Sequence, residues 1–171
     1  MVATVNIAYA ASATITCGVA TTPLASSATF VAGRESSVID NTSNKYDDAL
    51  LSGQVTVGTT PTTNTSILVY VFAILDDTPT YPDVMDGTDS DETLTSVGVG
   101  AGFLKLAAVM SCDSTTSNRA YAFGPVSVAQ LFGGIMPNKW SIFVTHNTGV
   151  ALNSTAGNHF FKYTGVTYTI T

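Results

Sequence analysis

Residues 67–75, ILVYVFAIL, decide the fold class. They carry no charge and are rich in β-branched and aromatic side chains. A bilayer span needs about 20 apolar residues, so the run is too short to be one. Polar residues 58–66 bound it on one side and Asp76–Asp77 on the other. A short apolar run between turn signals reads as a strand buried on both faces, around which the rest of the chain is organised. Such a strand needs cover on each side, and the remaining apolar segments mostly read as strands too.

Towards the N-terminus, 49–58 (ALLSGQVTVG) is strand-like, with Gly53 marking a bulge or a close approach. The loop between this segment and 67–75 is too short for a parallel crossover, so the two are expected to pair antiparallel. Residues 2–9 alternate loosely. Residues 12–17 alternate cleanly, with Ala13, Ile15 and Cys17 facing one way and Thr14 and Thr16 the other. Residues 18–26 read as a connection, 28–31 as a short apolar piece closed by Gly33-Arg34-Glu35, and 37–40 as a short strand. The first 20 residues lack a basic region, and Thr and Asn interrupt their apolar run, so they read as mature structure and not as a signal peptide.

Towards the C-terminus, 76–92 (DDTPTYPDVMDGTDSDE) holds seven of the twelve acidic residues and reads as a long loop. Residues 93–102 are small and Gly-rich, a hinge or an edge. Residues 103–110 read as a strand, and 120–124 as a short strand ended by Pro125. Residues 126–132 (VSVAQLF), between Pro125 and Gly133-Gly134, form the helix candidate. In 140–146 (WSIFVTH), Trp140, Ile142 and Val144 share one face, and Ser141, Phe143 and Thr145 the other. Residues 160–170 alternate again around Gly165. Eight or nine strands, one short helix, no βαβ rhythm and no repeat predict an all-β fold. The expected form is an antiparallel two-sheet sandwich of jelly-roll type with one short helix near 126–132. Residues 1–35 are expected as an N-terminal arm or edge strands open to a neighbouring subunit, and 36–171 as the sandwich domain.

Of the 171 residues, 45% are hydrophobic and only 11% charged, against about 25% charged in a typical soluble domain. The polar surface must come from Thr, Ser, Asn and Gly. Desolvating a hydroxyl costs far less than desolvating a charge, so such a surface suits packing against neighbours. The net charge is −6, and the basic residues Arg34, Lys45, Lys105, Arg119, Lys139 and Lys162 stand singly. The lack of a basic stripe argues against direct nucleic-acid binding, and the negative charge against an anionic membrane. Cys17 and Cys112 allow one disulfide, and the preferred reading is two free buried thiols. The triplets at Asn41, Asn64 and Asn153 fit the glycosylation acceptor pattern, but a chain this rich in Asn, Ser and Thr makes them by chance.

No Gly-rich phosphate loop, His-Glu-x-x-His, Cys-x-x-Cys or nucleophile elbow occurs, so neither an enzyme nor a cofactor is expected. His146 and His159 are expected on surface turns. A hydrolase would need one of them beside a carboxylate in a pocket. The acidic loop offers Asp83, Asp86, Asp89, Asp91 and Glu92 as candidate oxygen donors to Ca²⁺. Their spacing does not match the EF-hand, and the preferred reading is a solvated acidic loop with no metal. A third reading is contact with a basic neighbour. The aromatic residues, Trp140, Phe143 and Tyr168 among them, suggest either a carbohydrate platform or core packing, and strand spacing favours the core.

Two stretches carry a resemblance. One is Asp40-Asn-Thr-Ser-Asn-Lys-Tyr-Asp-Asp-Ala-Leu, followed by the apolar strand and then by Thr80-Tyr-Pro-Asp and Asp86-Gly-Thr-Asp. The other is Phe123-Gly-Pro-Val-Ser-Val-Ala-Gln-Leu-Phe-Gly-Gly-Ile-Met-Pro-Asn-Lys-Trp, running into Val144-Thr-His-Asn-Thr-Gly-Val-Ala-Leu. Over roughly residues 38–168 the chain resembles small virion proteins of tailed bacteriophages. The resemblance implies a capsid auxiliary protein that decorates or cements the shell from the capsid exterior. Its implied partner is the major capsid protein, and its implied state a homo-oligomer, a trimer by preference. The rival expectation is a receptor- or carbohydrate-binding module on a tail or head fibre.

Overall fold

The computed structural model describes residues 4–76, 78 and 80–171. The first three residues of the expected arm, and Asp77 and Pro79 of the acidic loop, lie outside the described residues. The strands are β1 (Val5–Tyr9), β2 (Ala13–Thr14), β3 (Ala32–Glu35), β4 (Ile39–Asp40), β5 (Asp48–Thr56), β6 (Thr65–Ala73), β7 (Asp91–Thr93), β8 (Lys105–Cys112), β9 (Ala120–Ser127), β10 (Lys139–His146) and β11 (Phe160–Ile170). Two helices, α1 (Val97–Phe103) and α2 (Val128–Leu131), and a single 3₁₀ turn, Ala156–Asn158, complete the described elements.

The strands form two antiparallel sheets packed as a sandwich. In one the order is β1-β11-β5-β9, with β2 also on β11; in the other it is β7-β3-β10-β6-β8, with β4 also on β10. Thus β1 and β2 act as one interrupted strand, and so do β3 and β4. With the short β7 set aside, eight strands remain. Numbered along the chain, their sheet orders are 1-8-3-6 and 2-7-4-5, the strand order of a jelly roll. Residues 4–35 are built into this sandwich. They supply the edge strands β1 and β2, the inner strand β3, and the buried Ile15, Val19 and Leu24 of the main core.

Several local expectations are corrected. Segments 49–58 and 67–75 do not pair: β5 lies between β11 and β9, and β6 lies between β10 and β8 in the other sheet. Sheets in a sandwich stand about 10 Å apart, a gap the loop between β5 and β6 spans easily. The most deeply buried strand is β10, not β6. Seven of its eight residues are buried, because both of its faces are covered. Trp140, Ile142 and Val144 face the main core together with Ile67, Val69 and Val71 of β6. Phe143, on the opposite face, joins Phe72, Met85 and Leu94 in a second, smaller core. Met85 belongs to the acidic loop and Leu94 directly follows β7, so this segment is more than a solvated connection: it roofs the outer face of the sheet.

Two hydroxyls of β10 are satisfied by β3 and the residue after it. Ser141 Oγ donates to the Ser36 carbonyl at 2.7 Å, and Thr145 Oγ1 to the Ala32 carbonyl at 2.6 Å. The predicted helix at 126–132 is shorter, because β9 runs on through Pro125 to Ser127. Proline is tolerated there because β9 is an edge strand. Ser127 then caps α2 by accepting from the Gln130 N–H, and the Ala129 N–H donates to the buried Asp48 carboxylate at 2.8 Å. The Gly-rich segment 93–102, expected as a hinge or an edge, begins at the end of edge strand β7 and runs into helix α1, nucleated by Ser96, whose side chain accepts from the Val99 N–H. The apolar piece expected at 28–31 is a turn, and the strand follows it at Ala32. At Gly53 the ladder with β9 shifts register, as expected for a bulge. A Cβ there would sit 2.7 Å from Phe123 and 2.8 Å from the Phe160 carbonyl oxygen.

Candidate functional site

The acidic loop is held by two residues of β3. Arg34 reaches over it: Nε donates to Asp89 Oδ1 at 2.7 Å, Nη2 to the Asp89 carbonyl at 2.7 Å, and Nη1 to Asp91 at 3.1 Å. The Gly18 N–H also donates to Asp89, at 2.8 Å, tying the N-terminal segment to the same point. Glu35, fully buried, holds the loop from beneath. Its two oxygens accept the N–H groups of Asp86 at 3.0 Å and Gly87 at 2.8 Å. Burial, together with the nearby charges of Asp86 and Glu92, pushes its carboxyl up to about 7, against the lowering effect of the two backbone donors.

The five residues expected as calcium donors are therefore split. Asp83 caps the chain at Thr95, accepting its N–H at 2.9 Å and its hydroxyl at 2.5 Å. Asp89 and Asp91 serve Arg34. Only Asp86 and Glu92 come together, and they do so with Glu35. One carboxylate oxygen from each of the three lies within 4.8 Å of the others. These three residues offer half the oxygens of a six-coordinate hard cation. Sequence reasoning missed Glu35 because it lies about fifty residues upstream; a Glu between two short apolar pieces was its only signal.

His146 departs from expectation, whereas His159 keeps its expected place beside a turn. His146 is fully buried in β10. Its Nδ1 bonds the Thr148 hydroxyl at 2.9 Å and its Nε2 the Leu24 carbonyl at 3.0 Å. His159 is half-buried: Nδ1 accepts the Thr56 N–H at 3.3 Å, and Nε2 lies 2.8 Å from the Asn153 carbonyl. Burial lowers the pKa of both. Among the described residues, neither ring bonds a carboxylate, the arrangement a hydrolytic triad would require. Trp140, Phe143, Phe72 and Phe161 are fully buried, and Trp140 packs edge-on to Tyr163 at 5.6 Å. These aromatics are core. Cys17 and Cys112 are free thiols, half-buried and buried respectively.

Besides Phe160, and besides Leu75 and Ile135, which line one hollow with Phe132 and Pro137, two areas of apolar side chains are exposed. The first is a ribbon. β1 pairs with the end of β11 in the register Val5↔Ile170, Ile7↔Tyr168, Tyr9↔Val166, so these six side chains share one face. All but the buried Val166 are exposed, from 50% for Tyr168 to 75% for Ile170. Along β11 they alternate with the core-facing Phe161 and Tyr163, and so project from the outer face of the sheet. The second area lies on and beside α1 and β8, where Val97, Val99, Leu106 and Val109 are exposed. Val97 and Leu106 rim a hollow of about 300 Å³ that Tyr70, Leu94 and Leu104 also line. β8 packs beside β9, the strand farthest from β1 in the other sheet, so the two areas occupy opposite edges of the sandwich. Comparison with known proteins finds no matching family, no matching curated protein and no matching solved structure.

Proposed function

We propose that this chain is a non-enzymatic structural protein of a tailed-phage virion that decorates or cements the capsid exterior, binding across adjacent major capsid protein subunits. The observation that carries this reading is the pair of apolar surfaces on opposite edges of one small sandwich. A bridging domain needs two contact surfaces, and large apolar patches in water mark interaction sites. The sparse charge supports it, because hydroxyl- and methyl-rich surfaces desolvate cheaply on association. The mechanism is mass action: a protein that binds only the assembled shell stabilises the assembled shell. Homo-oligomers, with the trimer implied by the resemblance, belong to the same reading.

Cryo-electron microscopy of particles containing the chain tests it. Regular copies on the icosahedral shell, straddling capsid subunits, are the expected result. Density confined to the tail tip or to fibres would overturn the proposal.

A further inference from the structure

We propose that the free edge of β1 pairs antiparallel with β1 of a second copy of this chain, on a two-fold axis through Ile7. The inference deepens the assembly reading above and rests on it for its biological sense, but its test needs no capsid.

Three of the four outer edges of the sandwich carry devices that discourage strand addition. β7 bears Asp91 and Glu92. β8 begins at Lys105 and shifts register against β6. β9 contains Pro125 and shifts register against β5. Charge, proline and irregularity are the usual protections of an edge. Within β1, Val-Asn-Ile-Ala-Tyr, there is none of them, and all five of its residues are exposed; this edge breaks only beyond Tyr9, before β2. Its ladder with β11 is unbroken from Val5 to Tyr9.

The backbone orientation of β1 follows from its inner partner. Thr4 and Thr171 exchange both backbone hydrogen bonds, at 2.9 and 3.0 Å, and the Ala10 N–H donates to the Gly165 carbonyl at 2.9 Å. Antiparallel ladders alternate, so Asn6 and Ala8 also point their backbone groups at β11. Val5, Ile7 and Tyr9 then hold their N–H and C=O groups outward. Those three residues also carry the apolar side chains of the ribbon.

The strand is self-complementary about Ile7. On a two-fold axis there, Ile7 opposes the partner's Ile7 and Val5 opposes the partner's Tyr9. Every outward backbone group of the three finds a mate, about six hydrogen bonds in all. The apolar side chains of both copies fall on the same face of one continuous sheet, as apolar cross-strand pairs. A one-residue slip would set Ile7 of one copy against a residue whose backbone groups point inward, and the ladder would be lost. The contact is isologous and closes as a pair, so a trimer would need a different surface.

The area sets the strength. The exposed parts of Val5, Ile7 and Tyr9 amount to about 300 Å² per copy, below the ~800 Å² per partner of a standard interface. Pairing is therefore a concentration-dependent equilibrium in solution, and a particle surface that concentrates the chain favours it.

Sedimentation equilibrium of the full chain, from about 1 μM to about 1 mM, tests the proposal. A monomer–dimer equilibrium is expected. In the Ile7→Pro variant the proline removes an N–H that faces outward, which an edge strand tolerates. It leaves the β1–β11 ladder intact and is expected to weaken the dimer on the order of 100-fold. Mild oxidation should cross-link the Ile7→Cys variant into covalent dimers, because directly opposed residues of a hydrogen-bonded pair stand about 5.5 Å apart at Cα, within disulfide reach. The Ala8→Cys variant, offset and on the other face, should not cross-link. If Ile7→Pro fails to fold, the cysteine pair still decides. A monomer across the whole range, an oligomer that Ile7→Pro leaves intact, or equal cross-linking of the two cysteine variants would overturn the inference. A chain that stays monomeric yet decorates capsids would sink this inference alone. A dimer absent from the shell would sink only the capsid reading.

Discussion

Replacing Glu35 with Gln tests how the acidic loop is fastened. The Glu35 carboxyl is fully buried and accepts the Asp86 and Gly87 N–H groups from below. Its pKa rises from 4.5 to about 7 on folding. Between those values the folded chain holds a proton that the unfolded chain has released. This contribution to stability is therefore full below the unfolded value and is lost as pH rises through 7. Integrating from pH 5 to pH 8, the group costs the wild type about 2.5 kcal/mol, or about 5–10 °C in Tm for a domain of this size. The buried histidines act oppositely. Their folded pKa values are lowered, so they destabilise the fold as pH falls through the ordinary histidine range. The informative quantity is therefore the difference between two proteins that share both histidines. Glu35→Gln is expected to lose the Glu35 pH component; its amide offers one acceptor where the carboxylate offers two to the Asp86 and Gly87 N–H groups, so the trend is the readout, and its Tm relative to wild type should rise steadily from pH 5 to pH 8. Thermal unfolding followed by circular dichroism at half-unit pH steps measures it. Parallel curves for the two proteins would refute the reasoning and show that Glu35 keeps one protonation state across the range.

Two further outcomes concern β3 and the acidic loop. In Gly33→Ala the new Cβ would meet the Phe143 ring and lie 2.5 Å from the Val144 carbonyl oxygen; backbone cannot yield as a side-chain tip can, so chemical denaturation should read a loss of about 3 kcal/mol. Adding Ca²⁺ at about 1 mM should move Tm by less than about 1 °C, because Asp83, Asp89 and Asp91 already serve Thr95 and Arg34; a rise of about 5 °C or more would mean that Glu35, Asp86 and Glu92 take up the ion.

The candidate site was legible in the sequence only in part. The acidic density of 76–92 was plain, but its partners were not. Arg34 and Glu35 are adjacent on β3 and far from the loop in the chain, and nothing local in their setting marks one as a clamp and the other as a buried acceptor. His146 misled because a turn follows it. The Asn147-Thr-Gly sequence suggested a surface position, whereas the strand end lies beneath the segment carrying Leu24, whose carbonyl the ring meets. The ribbon was half legible: the alternation in 2–9 and in the second half of 160–170 was visible, but not that the two strands face each other.

By itself the sequence determined the all-β class, most of the strands, the bulge at Gly53, and the alternation that sends Trp140, Ile142 and Val144 one way and Phe143 the other. These depend on local spacing and side-chain shape, which a short window contains. The tertiary structure alone decided the strand order, the separation of β5 from β6 into different sheets, the burial of β10 on both faces and the meeting of Glu35 with Asp86 and Glu92. Each is a choice among distant partners that look equally good locally. The choice is settled by which pairing lets every strand satisfy its backbone and bury its apolar face at once, and that condition exists only for the whole chain.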